Sequence, residues 1–286
     1  MSPFFQCGRY RFSLQSDRRP LVMGILNVTP DSFSDGGRFI GLDAALSHAD
    51  EMIAAGVDII DIGGESSRPG SQPLSLQEEL DRVMPLVFGL RDLGVPLSID
   101  TYKPAVMHEA LLAGADMIND INGFRGEGAW QAVAGSDCGL CIMHMQKTPE
   151  NMQQSPHYED VLREVGDFLS ERVTEARQIG ITDERISIDP GCGFGKTLEH
   201  NIALFRGTAI LQQRLDLPVL IGVSRKTMIG TLTGKPIEQR MAGSVGAALA
   251  AAAQGARIVR VHDVAETVDA LKVWEALAPS IEQPNY

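Results

Sequence analysis

Apolar runs recur along the chain, and nearly every one ends on a polar residue or is soon followed by one. They lie at Leu21–Asn27, Val57–Ile62, Pro96–Asp100, Asp116–Asn119, Gly139–His144, Arg185–Asp189, Pro218–Val223 and Arg257–Val261. Short apolar runs bounded by turn residues predict buried strands. The first continues into the polar stretch Thr29–Gly37, which reads as a loop carrying chemistry at a strand's C-terminal end. Phe4–Leu14 predicts a small hairpin with Gly8 near its turn, followed by the polar connector Asp17–Pro20.

Helical patterns fill the gaps. Asp43–Ala55 carries Ala44, Ala45, Met52 and Ile53 at apolar positions. Ser75-Leu76-Gln77-Glu78 is a capping box opening a helix with Leu80, Val83, Val87 and Leu90 on one side. Pro85 inside it predicts a kink. Ser155-Pro156 predicts the cap and first turn of a helix bearing Val161, Leu162, Val165, Phe168 and Leu169. The last helix carries Val264, Val268, Leu271 and Trp274. Eight strand–helix units without a break predict a (β/α)₈ barrel over residues 1–286, a single domain with a short N-terminal β-hairpin. A doubly wound open sheet is the alternative, but it often carries a phosphate loop after its first strand. Gly191-Cys192-Gly193-Phe194-Gly195-Lys196-Thr197 fails as a P-loop, because Pro190 stands where the first glycine belongs. It fails as a dinucleotide fingerprint because Lys196 occupies the last glycine position.

Composition narrows the class. The net charge of −12 argues against nucleic-acid binding, yet allows a small anion held by local cations. Arg9, Arg11, Asp17 and Arg18 interrupt any signal-peptide core. The longest uncharged stretch, the alanine-rich Met241–Gly255, is too short to span a bilayer, so a cytoplasmic protein is expected. Cys138 and Cys141, three apart on a strand, point to opposite faces, and Cys7 and Cys192 are isolated; buried free thiols are expected rather than a metal site.

In such a barrel the active site lies at the C-terminal strand ends. Those ends supply Asn27, Asp61 through Gly70, Asp100, Asn119, Met143-His144, Asp189, Ser224-Arg225-Lys226 and Arg260-Val261-His262. Each alone would pass for a cap or turn. Together they favour one convergent site. Asp100, Asn119 and Asp189 suit a flat nitrogen heterocycle with a donor-rich edge, and Met143 and Phe194 offer apolar faces to its ring. Arg260-x-His262 reads either as an anion site beside Asn27 or as a salt-bridged strand pair. Asp31 and Asp35 of the first loop read as solvated unless that loop closes over a cation.

Five motifs then match a family. Asn27–Gly37 (NVTPDSFSDGG), Asp61–Gly70 (DIGGESSRPG), Asp189–Lys196 (DPGCGFGK), Gly222–Lys226 (GVSRK) and Arg260–Asp263 (RVHD) resemble dihydropteroate synthase. The resemblance runs from about residue 20 to 277. It implies a Mg²⁺-dependent transferase of folate biosynthesis. The reaction joins 7,8-dihydro-6-hydroxymethylpterin pyrophosphate to 4-aminobenzoate, through a pterin cation, giving 7,8-dihydropteroate and pyrophosphate.

By the same resemblance, Asp189 and Asn119 hold the amino-pyrimidine edge, Asp100 the other ring's N–H, and Lys226 the carbonyl side, with Met143 and Phe194 flanking the ring. Asn27 meets Mg²⁺ and pyrophosphate, while Arg260 and His262 hold phosphates. Phe33, Ser67, Arg68, Pro69, Phe194, Lys226 and Thr227 surround the aminobenzoate. Catalytic work falls to Asp100, Lys226, Asp31 and Arg260, and the first loop acts as a lid. Ser67 replaces the usual threonine and Thr227 the usual serine, each keeping the hydroxyl. The methyl missing at Ser67 is worth about 1 kcal/mol at most, enough to alter binding of analogues such as sulfonamides. A homodimer through the last helices is also implied. The alternatives are a methyltetrahydrofolate–corrinoid methyltransferase, which needs neither Lys226 nor Arg260-x-His262, and a non-catalytic pterin-binding paralogue.

Overall fold

The computed structural model describes residues 1–15, 18–28 and 38–277. Strands β1 (Phe4–Cys7) and β2 (Tyr10–Ser13) form an antiparallel hairpin, with Gly8 at φ +54° in its turn. The parallel strands are β3 (Leu21–Asn27), β4 (Ile59–Gly63), β5 (Leu97–Asp100), β6 (Met117–Asp120), β7 (Gly139–Met143), β8 (Ile186–Asp189), β9 (Leu220–Ile221) and β10 (Ile258–Val261). They pair in the order β8-β7-β6-β5-β4-β3-β10-β9, and a parallel bridge from Ile188 to Val219 joins the two ends. The expected (β/α)₈ barrel is present.

Around it run α1 (Arg38–Ala55), α2 (Leu76–Leu90), α3 (Pro104–Ala113), α4 (Ala129–Ala134) and α5 (Val161–Gln178). They are followed by α6 (Leu198–Arg206), α7 (Thr208–Leu215), α8 (Thr227–Thr233), α9 (Met241–Ala253) and α10 (Val264–Leu277). No helix among the described residues is long and apolar enough to cross a membrane.

Alternation within each strand places the site. Barrel strands are buried on both faces, so most of their residues are apolar. On β4, Ile60 and Ile62 join the core under the helices, whereas Ile59 joins the cluster inside the barrel. Asp61 shares the parity of Ile59 and points inward. The same rule sends Asp100, Asn119, Met143, Asp189 and Arg260 inward. It also separates Cys138, in the outer core, from Cys141, inside the barrel; all four cysteines are buried and free. Gly24 faces outward, where a Cβ would fall 2.6 Å from Met52 Sδ and 2.9 Å from Val264 Cγ2. Glycine there lets α1 and α10 approach β3 closely.

Helix ends follow the sequence except at two starts, that of α1, which opens at Arg38 rather than Asp43, and that of α5. Ser75 and Glu78 form the capping box. Pro85 does not interrupt α2, which runs to Leu90. The carbonyl that loses its donor belongs to exposed Asp81, where water can take its place. Ser155 is not the cap of α5: it sits in a turn at φ +51°, and the helix opens five residues later on Asp160. The Asp160 side chain accepts from Arg163 N at 3.0 Å, and Glu164 accepts from Asp160 N at 2.9 Å. That reciprocal pair satisfies more orphan donors than Ser155 could.

The hairpin fills the N-terminal end of the barrel. Phe5 and Cys7 are fully buried against Met23, Ile59, Met117, Leu220 and Ile258. Arg9 fastens it through Asp116, with Nε at 2.9 Å from Oδ1 and Nη2 at 3.0 Å from Oδ2. Phe5→Ala should therefore lower unfolding free energy by about 3–4 kcal/mol, read by urea denaturation. A loss under about 1 kcal/mol would show that the hairpin is not a plug.

Candidate active site

Strand register assembles two successive inward-facing levels at the C-terminal rim. Asn27, Gly63, Asp100 and Asn119 are successive partners across β3, β4, β5 and β6, and Met143 partners Asp189 across β7 and β8. One step below, Asp61 partners Ser98. Arg260 reaches from β10 past β3 to the levels of Asp61 and Asp100. Its Nε donates to Asp61 Oδ2 at 2.6 Å, and its Nη2 donates to Asp100 Oδ2 at 2.7 Å. Asn119 Nδ2 donates to the same Asp61 oxygen at 3.2 Å. Asp61 is wholly buried. Arg260 is thus salt-bridged, but across the barrel to two carboxylates rather than to a neighbour on its own strand.

Burial sets the charges. It drives Asp100 upward, Arg260 opposes it, and the carboxyl is left at about 7. Burial would lower Arg260, but Asp61 and Asp100 outweigh that and hold the guanidinium above its usual range. Burial raises Asp189 against the pull of Lys226, and lowers Lys226 against the pull of Asp189. Burial, then Arg260 and Arg225, pushes His262 down to about 4, so its imidazole is neutral near pH 7. Ser224 Oγ accepts from His262 N at 3.2 Å and lies 3.1 Å from His262 Nδ1. If that hydroxyl donates to Nδ1, the free Nε2 carries the hydrogen and can donate to a ligand.

The β8 loop forms the opposite wall. Asp189 Oδ1 accepts from Gly191 N at 2.7 Å. Gly191 has φ +71°, and a Cβ there would lie 1.9 Å from the His144 carbonyl oxygen, so only glycine allows this contact. Lys226 Nζ donates to Cys192 O at 2.6 Å and stands 4.5 Å from the Phe194 ring centroid. Phe194 and Met143 share an apolar cluster with Ile121, Met145 and Met152.

The remaining expected residues fall around this centre. Ser67 lines a cleft of about 230 Å³, open to solvent, with Glu65, Glu79, Asp100, Tyr102 and Ile121. Arg68 and Pro69 are exposed, and Gly70 N ties their loop to Pro149 O at 3.1 Å. Arg68 nonetheless contributes to the lowering of His262. Thr227 is exposed as the first residue of α8. Asn27 is exposed at the end of β3, and its Oδ1 lies 3.2 Å from where a Cβ at Gly63 would be. Asp31 and Phe33, with the whole Thr29–Gly37 lid, lie outside the described residues.

Some functional neighbours carried no assignment from sequence. Asp61 is the hub of Arg260 and Asn119; its signal was a carboxylate inside an otherwise apolar strand. Ser224 orients His262. Glu65 accepts from Leu74 N at 2.8 Å, from Tyr102 Oη and from Lys103 Nζ, and the same lysine reaches Glu79. These bonds staple the base of the Ser66–Gly70 loop. No local spacing reveals them.

Among the described residues, no three or more His, Cys, Asp or Glu side chains gather as a metal site. The arrangement can grip a flat heterocycle by acceptors on one edge and place an anion beside a guanidinium and an imidazole N–H.

Comparison with known proteins agrees with that chemistry. The model of the pterin binding enzyme family matches residues 23–262. The dihydropteroate synthase of Neisseria meningitidis serogroup C is 50% identical over 277 residues, covering 96% of this chain and 97% of that protein. The dihydropteroate synthase of Burkholderia cenocepacia complexed with 7,8-dihydropteroate superposes with a TM-score of 0.85 at 53% identity, covering 96% of this chain and 95% of that one. The Xanthomonas albilineans dihydropteroate synthase with 4-aminobenzoic acid gives a TM-score of 0.88 at 48% identity, covering 96% and 98%. An interior of Asp61, Asp100, Asn119, Asp189 and Arg260, on a barrel of this register, places the chain in the dihydropteroate synthase family of pterin-binding enzymes.

Proposed function

We infer that the protein is a dihydropteroate synthase, a transferase. It joins 7,8-dihydro-6-hydroxymethylpterin pyrophosphate to 4-aminobenzoate, giving 7,8-dihydropteroate and pyrophosphate. The observation that carries this reading is the convergence of Asp100, Asn119 and Asp189, all facing into the barrel at its C-terminal end, beside Arg260. Asp189 and Asn119 take the amino-pyrimidine edge, Lys226 the carbonyl side, and Met143 and Phe194 the ring faces. Ser67, Arg68, Pro69 and Thr227 frame the aminobenzoate, with Phe33 of the first loop above it.

Bond breaking at the pterin methylene leaves a conjugated cation and a pyrophosphate. Asp100 sits where its carboxylate can accept from the pterin ring N–H and stabilise that cation. Arg260 keeps Asp100 and Asp61 in place and supplies positive charge near the departing group. The neutral His262 donates through Nε2. The arylamine is unprotonated near neutral pH and attacks without a strong general base. Closure of the two loops excludes water, which would otherwise capture the cation.

Asn27 Oδ1, at the end of β3, would meet a Mg²⁺ carried in by the pyrophosphate. One amide oxygen fits an ion that keeps most of its waters and binds chiefly through substrate phosphates. When bound, the ion would neutralise pyrophosphate charge. The exposed apolar residues Leu232, Ile237, Met241, Val273 and Leu277 on and beside α8, α9 and α10 suit a second copy of the chain, and a cytoplasmic homodimer follows from this reading. A methyltetrahydrofolate–corrinoid methyltransferase would have no use for Lys226 and His262 in these places.

Purified protein with both substrates and Mg²⁺ should release pyrophosphate and dihydropteroate in equal amounts. Pterin binding with no product sinks the synthase reading. Asp100 needs its ionised form to act on a cation, and its ionisation lies at about 7. Turnover should therefore rise as pH climbs through about 7. Asp100→Asn should remove that rise and lower turnover roughly 100-fold, with pterin affinity changed far less. Equal losses in turnover and affinity would remove Asp100 from the chemical step. Arg260→Ala would strand two buried carboxylates, a cost of about 3–5 kcal/mol, so Arg260→Lys is the cleaner probe. A lysine keeps the charge but lacks the planar fork that spans Asp61 and Asp100. Turnover should fall at least about 10-fold; retention of full activity would show that charge alone suffices.

A further inference from the structure

Lys196, the last residue of the β8 loop motif, is 3% exposed. A lysine this buried is normally paired with a carboxylate. Among the described residues, its ammonium bonds none. Its acceptors are His144 Nδ1 at 3.0 Å, His144 O at 3.3 Å and Phe194 O at 2.9 Å. Three acceptors match the three N–H donors of an ammonium. His144 Nδ1 is then the unprotonated ring nitrogen, consistent with burial and Lys196 pushing His144 down to about 2.

The acceptors belong to two segments. His144 follows Met143 directly at the end of β7, and Phe194 lies in the loop after β8. The same two segments are joined by His144 N donating to Asp189 O at 3.0 Å, and the loop is held from outside by Tyr158 Oη donating to Gly195 O at 3.1 Å. We propose that Lys196 is a positioning residue that ties the Phe194 backbone to the end of β7 and so fixes the spacing between the Met143 and Phe194 walls of the pterin slot. This rests on the pterin-binding reading above; Lys196 acts through His144 and Phe194, the residues its ammonium bonds.

The tie is pH-sensitive. The groups facing Lys196 are His144 from β7, Asp189 and Cys192 from β8 and its loop, Lys226 from the loop after β9, and the Tyr158 ring at 5.9 Å. Burial dominates and pushes Lys196 down to about 7. Deprotonation removes one of three donors, so the tie weakens as pH rises through that value.

The test compares wild type with Lys196→Met and Lys196→Gln, using 6-hydroxymethyl-7,8-dihydropterin as the calorimetric probe. Lys196→Met removes a buried charge at similar volume, so its thermal midpoint should stay within a few degrees of wild type or rise. Its pterin dissociation constant should increase at least about 10-fold. The KM for 4-aminobenzoate at saturating pterin substrate should rise by a smaller factor, because Phe194 is only one of the residues around that substrate. Wild-type pterin affinity should decline above about pH 7, and the Lys196→Met variant should lack the part of that decline due to Lys196. Lys196→Gln keeps two N–H donors, on a shorter side chain and without the charge, and should fall between. A folded Lys196→Met with wild-type pterin affinity and pH profile overturns the proposal. If Lys196→Met shows no cooperative melt, unchanged affinity in Lys196→Gln overturns it instead. Failure of the wild type to bind pterin overturns the functional reading, and this proposal with it.

Discussion

The structure depends on one guanidinium forked between two carboxylates. Asp61 is wholly buried, and Asp100 is nearly so. Two such groups in an apolar barrel would repel each other and forfeit their hydration, at a cost of several kcal/mol per ion. Arg260 answers both, with one nitrogen to each. The planar fork suits this duty because its donors are fixed in space. The arrangement also explains why Arg260, two positions before the rim residue His262, points deep rather than outward. Its strand parity leaves it no other direction, and the carboxylates on β4 and β5 give it a destination.

This pairing changes what the net charge of −12 means for an anionic substrate. Inside the bowl, negative charge is largely spoken for. Asp61 is paired with Arg260, Asp263 with Arg225, and the Glu65–Glu79 pair with Lys103. Burial presses Asp100 toward its neutral form at pH 7 and holds His262 neutral. The interior therefore presents oriented donors and acceptors more than a net field. That balance suits recognition of a neutral heterocycle, and it leaves Arg68 as an exposed cation at the rim.

The sequence was most legible where structure is local. β3 begins and ends where its apolar run does, at Leu21 and Asn27. The Ser75–Glu78 capping box involves residues three apart, and it is present. Legibility fell where partners lie far apart in the chain. Asp61 was visible as a strand-end carboxylate, but Arg260 is 199 positions away, and nothing local indicates that the two meet. Lys196 and His144 are 52 apart. Arg260-x-His262 was readable as an anion site or as an ion pair, and distant contacts decide how much of each it is. Ser155 misled for the opposite reason: its local pattern was good, but Asp160 and Glu164 offered the helix a better start. A local signal predicts a cap only when no stronger cap follows.

The hairpin belongs to the same argument as the active site. Phe5 and Cys7 close the end of the barrel opposite the reactive rim, against an apolar layer that includes Met23, Ile59 and Met117. Water entering from that side would hydrate Asp61, Ser98 and Arg260 and raise the effective dielectric around them. Each hydrogen bond in the polar layer is stronger because the layer beneath is dry. Burial is also the largest influence on Asp100, Asp189, Lys196, Lys226 and His262. A leak at the hairpin end would thus move every one of those groups toward its ordinary ionisation without touching any of them. The catalytic electrostatics at one end of the barrel are set in part by how well a four-residue strand packs at the other.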